Sequence, residues 1–211
     1  MHQSYKYIAI EGNIGAGKTT LSRFLAHQTG AELVLEEFAD NPFLANFYSN
    51  PDRYSFPLEL SFLEERFRQQ AEALKNTSTR LIADYLWEKS YVFASVNLSG
   101  AEFELFQRFY RLLAGQLRHP DLVIYLHRST DRLKKQIGER GRSYEQNIPA
   151  EYLNKVSAAY QHFFEEEQRM PVLWMTENDE LPLDPEKLGA HILQLISKDW
   201  TPGFHQIGSL F

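Results

Sequence analysis

The chain has 211 residues, of which 43% are hydrophobic and 24% charged, the mix of an ordinary globular protein. Lys+Arg 22 against Asp+Glu 28 gives 22 − 28 = −6, which argues against a nucleic-acid partner, because phosphate contacts need clustered cations. Cysteine is absent, excluding disulfides, thiolate ligands and cysteine nucleophiles. No apolar run reaches bilayer-spanning length, and the first residues lack the shape of a signal peptide, so the expectation is a cytoplasmic protein with no membrane partner.

Taken in chain order, the short apolar runs Tyr7-Ile10, Leu33-Leu35, Leu81-Ala83, Leu122-Leu126 and Val172-Met175 read as strands. Consecutive apolar positions bounded by polar residues are the pattern of strands buried on both faces of a parallel sheet. Helical patterns separate them. Lys18 to Thr29 ends at Gly30, a fitting residue beyond a helix end. Leu60, Leu63, Phe67 and Leu74 carry an apolar stripe through a charged segment, and Phe103, Phe106, Tyr110 and Leu113 carry another. Pro149-Ala150-Glu151 opens a further helix, and Leu188, Ile192 and Leu195 mark the last. Strand–helix alternation predicts an α/β fold, a five-stranded parallel sheet flanked by helices. Without repeats or a Pro/Gly-rich linker, residues 1–211 read as one domain.

Gly12-Asn13-Ile14-Gly15-Ala16-Gly17-Lys18-Thr19 fits G-x-x-x-x-G-K-[ST] at every fixed position, with a strand before it and a helix after. The glycines let successive N–H groups converge on one anion, and the helix N-terminus adds its partial positive charge. Lys18 suits the β- and γ-phosphates, and the Thr19 hydroxyl suits Mg²⁺. Phosphate binding follows, and the loop by itself fits a switch GTPase, an ATPase motor and a small-molecule kinase alike. A guanine-specific GTPase would carry N-K-x-D, and Asn154-Lys155-Val156-Ser157 lacks the aspartate. A kinase of nucleosides or nucleotides is left, with a non-catalytic nucleotide-binding protein as the other class.

Ile10 through Thr20 resembles the phosphate loop of the deoxyribonucleoside kinases. Leu35-Glu36-Glu37, Tyr48 through Glu59, Pro120 through Leu126 and Arg140-Gly141-Arg142-Ser143-Tyr144-Glu145 are similar to the same family in the same order. The overall likeness is to its bacterial deoxyadenosine/deoxyguanosine kinase branch. The resemblance implies ATP- and Mg²⁺-dependent 5′-phosphorylation of a purine deoxynucleoside, an arginine-bearing lid at about 139–147, and a homodimer. A nucleoside monophosphate kinase is the alternative.

The resemblance also implies roles. Glu36, after the second strand, is similar to the general base for the 5′-hydroxyl, with Glu37 beside it as the alternative. Residues 12–20 (Gly12, Asn13, Ile14, Gly15, Ala16, Gly17, Lys18, Thr19 and Thr20) would bind the donor nucleotide, with Lys18, Arg140 and Arg142 stabilising the moving phosphoryl. Asp84, ending the third strand, would share the metal with Thr19. Tyr48 and Glu145 match positions that hold the sugar 3′-hydroxyl, and Glu59 and Arg66, seven apart on one helix, match positions that read the base. Relatives carry an arginine after the acid at Asp84, whereas this chain has Asp84-Tyr85-Leu86; Lys89 is either its substitute or a solvated helix charge. Asn178 and Asp179 would border the ATP adenine, and the aromatic tail from Trp200 packs on this domain or on a partner. The 7 histidines show no metal-ligand spacing.

Overall fold

A computed structural model describes residues 5–37, 41–75, 79–177 and 184–210. The strands are β1 (Tyr7–Gly12), β2 (Glu32–Val34), β3 (Leu81–Ala83), β4 (Leu122–His127), β5 (Pro171–Glu177) and β6 (Gly203–Leu210). The helices are α1 (Lys18–Thr29), α2 (Leu44–Ser49), α3 (Pro51–Ala73), α4 (Lys89–Asn97), α5 (Gly100–Ala114), α6 (Thr130–Arg140), α7 (Ala150–Glu165) and α8 (Pro185–Leu195), with one 3₁₀ turn at Ser143–Glu145.

The six strands form one sheet in the order β2-β3-β1-β4-β5-β6, and every pairing is parallel. β1 and β4 lie in its middle, with Ile8, Ile10, Ile124 and Leu126 all 1% exposed or less. Fully burying a side chain of this size contributes roughly 1.5–3 kcal/mol, so the sheet centre is its firmest part. The phosphate loop and Glu36 leave the C-terminal ends of β1 and β2, on either side of β3, where open α/β sheets place their ligands.

The sheet has six strands, not the expected five. The tail is the sixth: Val172 pairs with Phe204 and Trp174 with Gln206, while the Phe204 ring packs 5.6 Å from that of Trp174. Phe204 is therefore spent on this chain's own sheet edge. Tyr5 helps hold it, because its hydroxyl accepts from the Trp200 N–H at 2.8 Å.

The segment from Tyr48 to Glu59 is broken at Asn50, which leaves the helical conformation, with Pro51 at the first position of α3, where its missing N–H costs nothing. Tyr48 thus belongs to α2 and Glu59 to α3. Asn178 and Asp179 lie outside the described residues.

Candidate active site

The phosphate loop is shaped by close approach on both sides. A Cβ at Gly12 would sit 2.9 Å from the Leu126 carbonyl and the Ala16 Cβ. Gly15 has φ +84°, a left-handed conformation that L side chains rarely adopt, and a Cβ there would sit 3.0 Å from Ile137 and from the Leu133 carbonyl. The loop is also tied from behind. Asn13 is buried, its Nδ2 donating to the Leu153 carbonyl and Ser157 Oγ, both at 2.8 Å, while its Oδ1 accepts from the Ile14 N–H. The Asn13 side chain therefore anchors the loop to α7 and points away from the phosphate side. Lys18 Nζ lies over the loop, donating to the Gly12 carbonyl at 2.8 Å and the Asn13 carbonyl at 3.1 Å. Burial, joined by repulsion from Lys89, lowers its ammonium to about 8.

Asp84 joins the two halves of the site. Its Oδ2 accepts from Thr19 Oγ1 and its Oδ1 from the Glu36 N–H, both at 2.6 Å. A hydroxyl and a carboxylate meeting beside a phosphate loop suit a divalent cation that takes its remaining ligands from phosphate and water. Among the described residues no cluster of three His, Cys, Asp or Glu could hold a metal by itself, so the donor set fits Mg²⁺ carried in with a nucleotide.

Glu36 is held by two cations. Arg66 donates to Oε1 through Nε at 2.8 Å and pairs with it through Nη2 at the same distance, and Lys89 Nζ lies 2.5 Å from Oε2. Burial alone would raise this carboxyl, but the charges of Lys89, Arg66 and Lys18 overcome it and hold it at about 2. Arg66 also donates to Ser90 Oγ at 2.9 Å. Its guanidinium thus serves Glu36, and Glu59 takes a different partner, accepting from Asn97 Nδ2 at 2.7 Å. Glu37 is exposed and pairs at 3.7 Å with exposed Arg68, away from this cluster.

The lid folds onto the site. Arg140, the last residue of α6, and Arg142 both donate to Glu145, the latter at 3.3 Å. Tyr144 stacks on Tyr48 with ring centroids 6.3 Å apart, which docks the lid on α2. Two cavities meet beneath it. The acceptor-side cavity, about 110 Å³, includes Glu36, Tyr48, Arg66, Lys89 and Glu145 in its wall. The donor-side cavity, about 530 Å³, runs along residues 15–21 of the loop to Arg128 and Gln136. Lys18, Thr19, Arg140 and Arg142 line both, so three cations stand where the two cavities meet.

Three residues that sequence reasoning does not assign to the site support this arrangement. Buried Glu11 accepts from the Gly12 and Leu86 N–H groups at 2.8 and 2.9 Å, pinning the start of the phosphate loop to the segment that leads into α4. Its signal is a charge at the end of an otherwise apolar strand. Ser90 and Asn97, both on α4, give none, because their partners lie 24 and 38 residues away in sequence. Lys89, for which the sequence allows two readings, is buried on Glu36 and is no solvated charge.

A parallel sheet in this order, with a phosphate loop after β1, an acid after β2 and an arginine lid after α6, defines a P-loop kinase. A family model described as deoxynucleoside kinase matches residues 8–197. The chain belongs to the deoxynucleoside kinase family and is a kinase. It is 35% identical over 205 residues to a deoxyguanosine kinase of Bacillus subtilis (strain 168), covering 90% of this chain and 97% of the relative. It is 31% identical over 191 residues to a deoxyadenosine kinase of Dictyostelium discoideum, covering 88% and 77%. Among solved structures, a deoxyadenosine kinase from M. mycoides with products dCMP and a flexible dCDP bound superposes with a TM-score of 0.78 at 27% identity, covering 90% of this chain and 97% of that one.

Proposed function

We propose that this protein transfers the γ-phosphoryl group of ATP to the 5′-hydroxyl of a purine 2′-deoxynucleoside, deoxyadenosine or deoxyguanosine. The observation that carries the reading is Asp84, which binds the Thr19 hydroxyl with one oxygen and the Glu36 backbone with the other. One carboxylate thereby fixes the donor side against the acceptor side, and alignment is most of what phosphoryl transfer asks of a protein. The names of the relatives, deoxyguanosine kinase and deoxyadenosine kinase, support a purine acceptor.

In this reading residues 12–20 cradle the triphosphate, and Thr19 and Asp84 hold Mg²⁺, which neutralises phosphate charge when bound. Lys18, Arg140 and Arg142 supply cations along the transfer path. Glu36 accepts the 5′-hydroxyl proton once the incoming hydroxyl takes the place of Lys89 on Oε2, which also returns basicity to a carboxyl otherwise held low. The acceptor-side cavity is smaller than the roughly 300 Å³ of common ligand pockets, so a nucleoside enters by swinging Arg140, Arg142 and Glu145 outward. Tyr48 and Glu145 then meet the 3′-hydroxyl, and Glu59 and Arg66 the base. A nucleoside monophosphate acceptor would need cations for its own phosphate, whereas Arg66 and Lys89 are engaged by Glu36.

The same reading takes residues 1–211 as one kinase domain, acting in the cytoplasm as a homodimer. No helix among the described residues is long and apolar enough to cross a membrane. On α5, Phe109 and Leu112 are exposed at 44% and 68%, an apolar face of the kind a second copy would cover. Light scattering on the purified protein tests the dimer. Incubation with ATP, Mg²⁺ and each of the four deoxynucleosides tests the activity: the expected products are dAMP or dGMP, and formation of no monophosphate overturns the reading.

A further inference from the structure

Part of the donor-side cavity wall has no counterpart on the acceptor side. Lys18, Thr19, Arg140 and Arg142 line both cavities, which puts the γ-phosphoryl end of a donor at their junction. Leu126, Arg128, Gln136 and Leu188 line the donor-side cavity alone. Among the described residues of that wall, Arg128 is the one arginine that takes no part in the junction.

The sheet fixes where Arg128 stands. Leu126 of β4 pairs with Gly12 of β1, β4 ends at His127, and Arg128 follows directly. It therefore lies one strand across from the phosphate loop, at the same end of the sheet. The side chain is enclosed, 3% exposed, and its Nη1 donates to the His127 carbonyl at 2.9 Å, which orients the guanidinium. A triphosphate already has the loop N–H groups, Lys18, Arg140 and Arg142 to meet it. Leu126 and Leu188, which share the wall with Arg128, give a phosphate nothing and suit the flat face of a base. The distribution of side chains thus sets Arg128 against the base of the donor and not against its transferring end.

A guanidinium carries donors only, arranged in a planar fork. Guanine shows two acceptors side by side, O6 and N7, and such a fork takes both. Adenine shows N7 beside its 6-amino donor, so the same fork makes one bond there and meets an opposing N–H.

Resting on the deoxynucleoside kinase reading above, we propose that Arg128 reads the base of the phosphoryl donor and selects a 6-oxopurine, so that GTP serves as donor beside ATP and is the better of the two. The transfer itself is unchanged. The 5′-oxygen bonds to the γ-phosphorus, the bond to the β–γ bridging oxygen breaks, GDP leaves and the hydroxyl proton goes to Glu36. Arg128 acts on donor binding alone, because it stands away from the junction where the phosphoryl group passes.

The test is kcat/KM for ATP, GTP and ITP at saturating deoxynucleoside and Mg²⁺. GTP and ITP share O6 and N7, and both should exceed ATP by about fivefold or more, the lower end for one bidentate base contact. 7-Deaza-GTP, which lacks the N7 acceptor, should fall back toward ATP. These measurements use the unaltered protein and need no variant to fold. Arg128→Ala should bring GTP down to the level of ATP through the donor KM, with kcat and the deoxynucleoside KM within about twofold, the pattern of lost ground-state binding. Arg128→Lys keeps the charge without the fork and should lose the preference as well. Tripolyphosphate, a competitor with no base, should inhibit Arg128→Ala and the unaltered protein alike. ATP used as well as GTP or better, 7-deaza-GTP equal to GTP, or a GTP preference that survives in Arg128→Ala overturns the assignment. So does a loss in that variant shared by ATP, GTP and tripolyphosphate, which would put Arg128 on the phosphates. Each of these outcomes leaves the kinase reading intact, whereas no phosphorylation of any deoxynucleoside with any donor overturns both.

Discussion

Lys89 Nζ lies 2.5 Å from Glu36 Oε2, in a cluster where both side chains are less than one-tenth exposed. Burying a cation costs several kcal/mol unless it is paired, so this lysine is held in the site by the acid it faces. In the proposed reaction, a nucleoside hydroxyl that takes Oε2 would release the ammonium, which would then stand in for the arginine that the segment Asp84-Tyr85-Leu86 lacks.

Lys89→Ala is therefore expected to lower kcat by about 10²–10³, the usual loss on removing one transition-state charge stabiliser. KM for the nucleoside should change much less. Lys89→Arg should restore part of the rate, because it keeps the charge but changes its geometry. Steady-state kinetics decides the matter: a rise in KM at constant kcat would assign Lys89 to ground-state binding.

For the base, Glu36→Gln should reduce kcat by about 10²–10⁴, the usual contribution of a general base. Glu37→Gln should leave kcat within about threefold, because Glu37 is exposed on Arg68 and outside the cavity wall. Single-turnover rates with saturating deoxynucleoside separate chemistry from product release. Equal losses in the two variants would remove Glu36 from the role.

Tyr48 is pinned between Phe47, at 5.1 Å, and Tyr144 of the lid. In the proposed reading its ring lies under the sugar and leaves little room for a ribose 2′-hydroxyl, and with the ring fixed that crowding should persist in Tyr48→Phe. That variant should still prefer deoxyadenosine to adenosine, while binding weakens by about 0.5–1.5 kcal/mol, the net worth of one hydrogen bond. Tyr48→Ala should lose the sugar preference as well. Comparing kcat/KM on the two nucleosides in both variants checks this.

Glu59 also predicts a pH-dependent stability. Its carboxyl is raised from the ordinary 4.5 to about 7 in the folded protein. Between those values the unfolded chain loses the proton while the folded chain keeps it, so stability is fully present below about pH 4.5 and is lost as pH rises through about 7. The difference is on the order of 3 kcal/mol. Glu59→Gln has no such proton to lose, so its stability relative to the unaltered protein should rise by about that amount between about pH 4 and about pH 8. Urea unfolding at the two pH values measures it, and a constant difference between the proteins would show that the Glu59 carboxyl titrates in the fold as it does in the unfolded chain.

The contiguous features of this protein are legible in its sequence. The phosphate loop is a local structure whose glycines, lysine and threonine are neighbours in the chain, and helix α1 starts at Lys18 and ends before Gly30 because both signals are local. The inner strands β1, β3, β4 and β5 are legible for a similar reason, since burial on both faces writes an unbroken apolar run; β2, read as buried, is an edge strand and only partly so. The side-chain partners, by contrast, emerge only in three dimensions. Spacing on α3 places Arg66 on the same face as Glu59, but its guanidinium reaches Glu36, 30 residues away, and Glu59 turns to Asn97, 38 residues away. Lys89 is ambiguous in sequence because a helix cation reads alike in solvent and on a buried acid. The sixth strand escapes a sequence reading because an edge strand is partly exposed, and its polar residues hide it until β5 supplies the pairing. Pairings at such distances follow from how the strands order in the sheet, which no local period encodes.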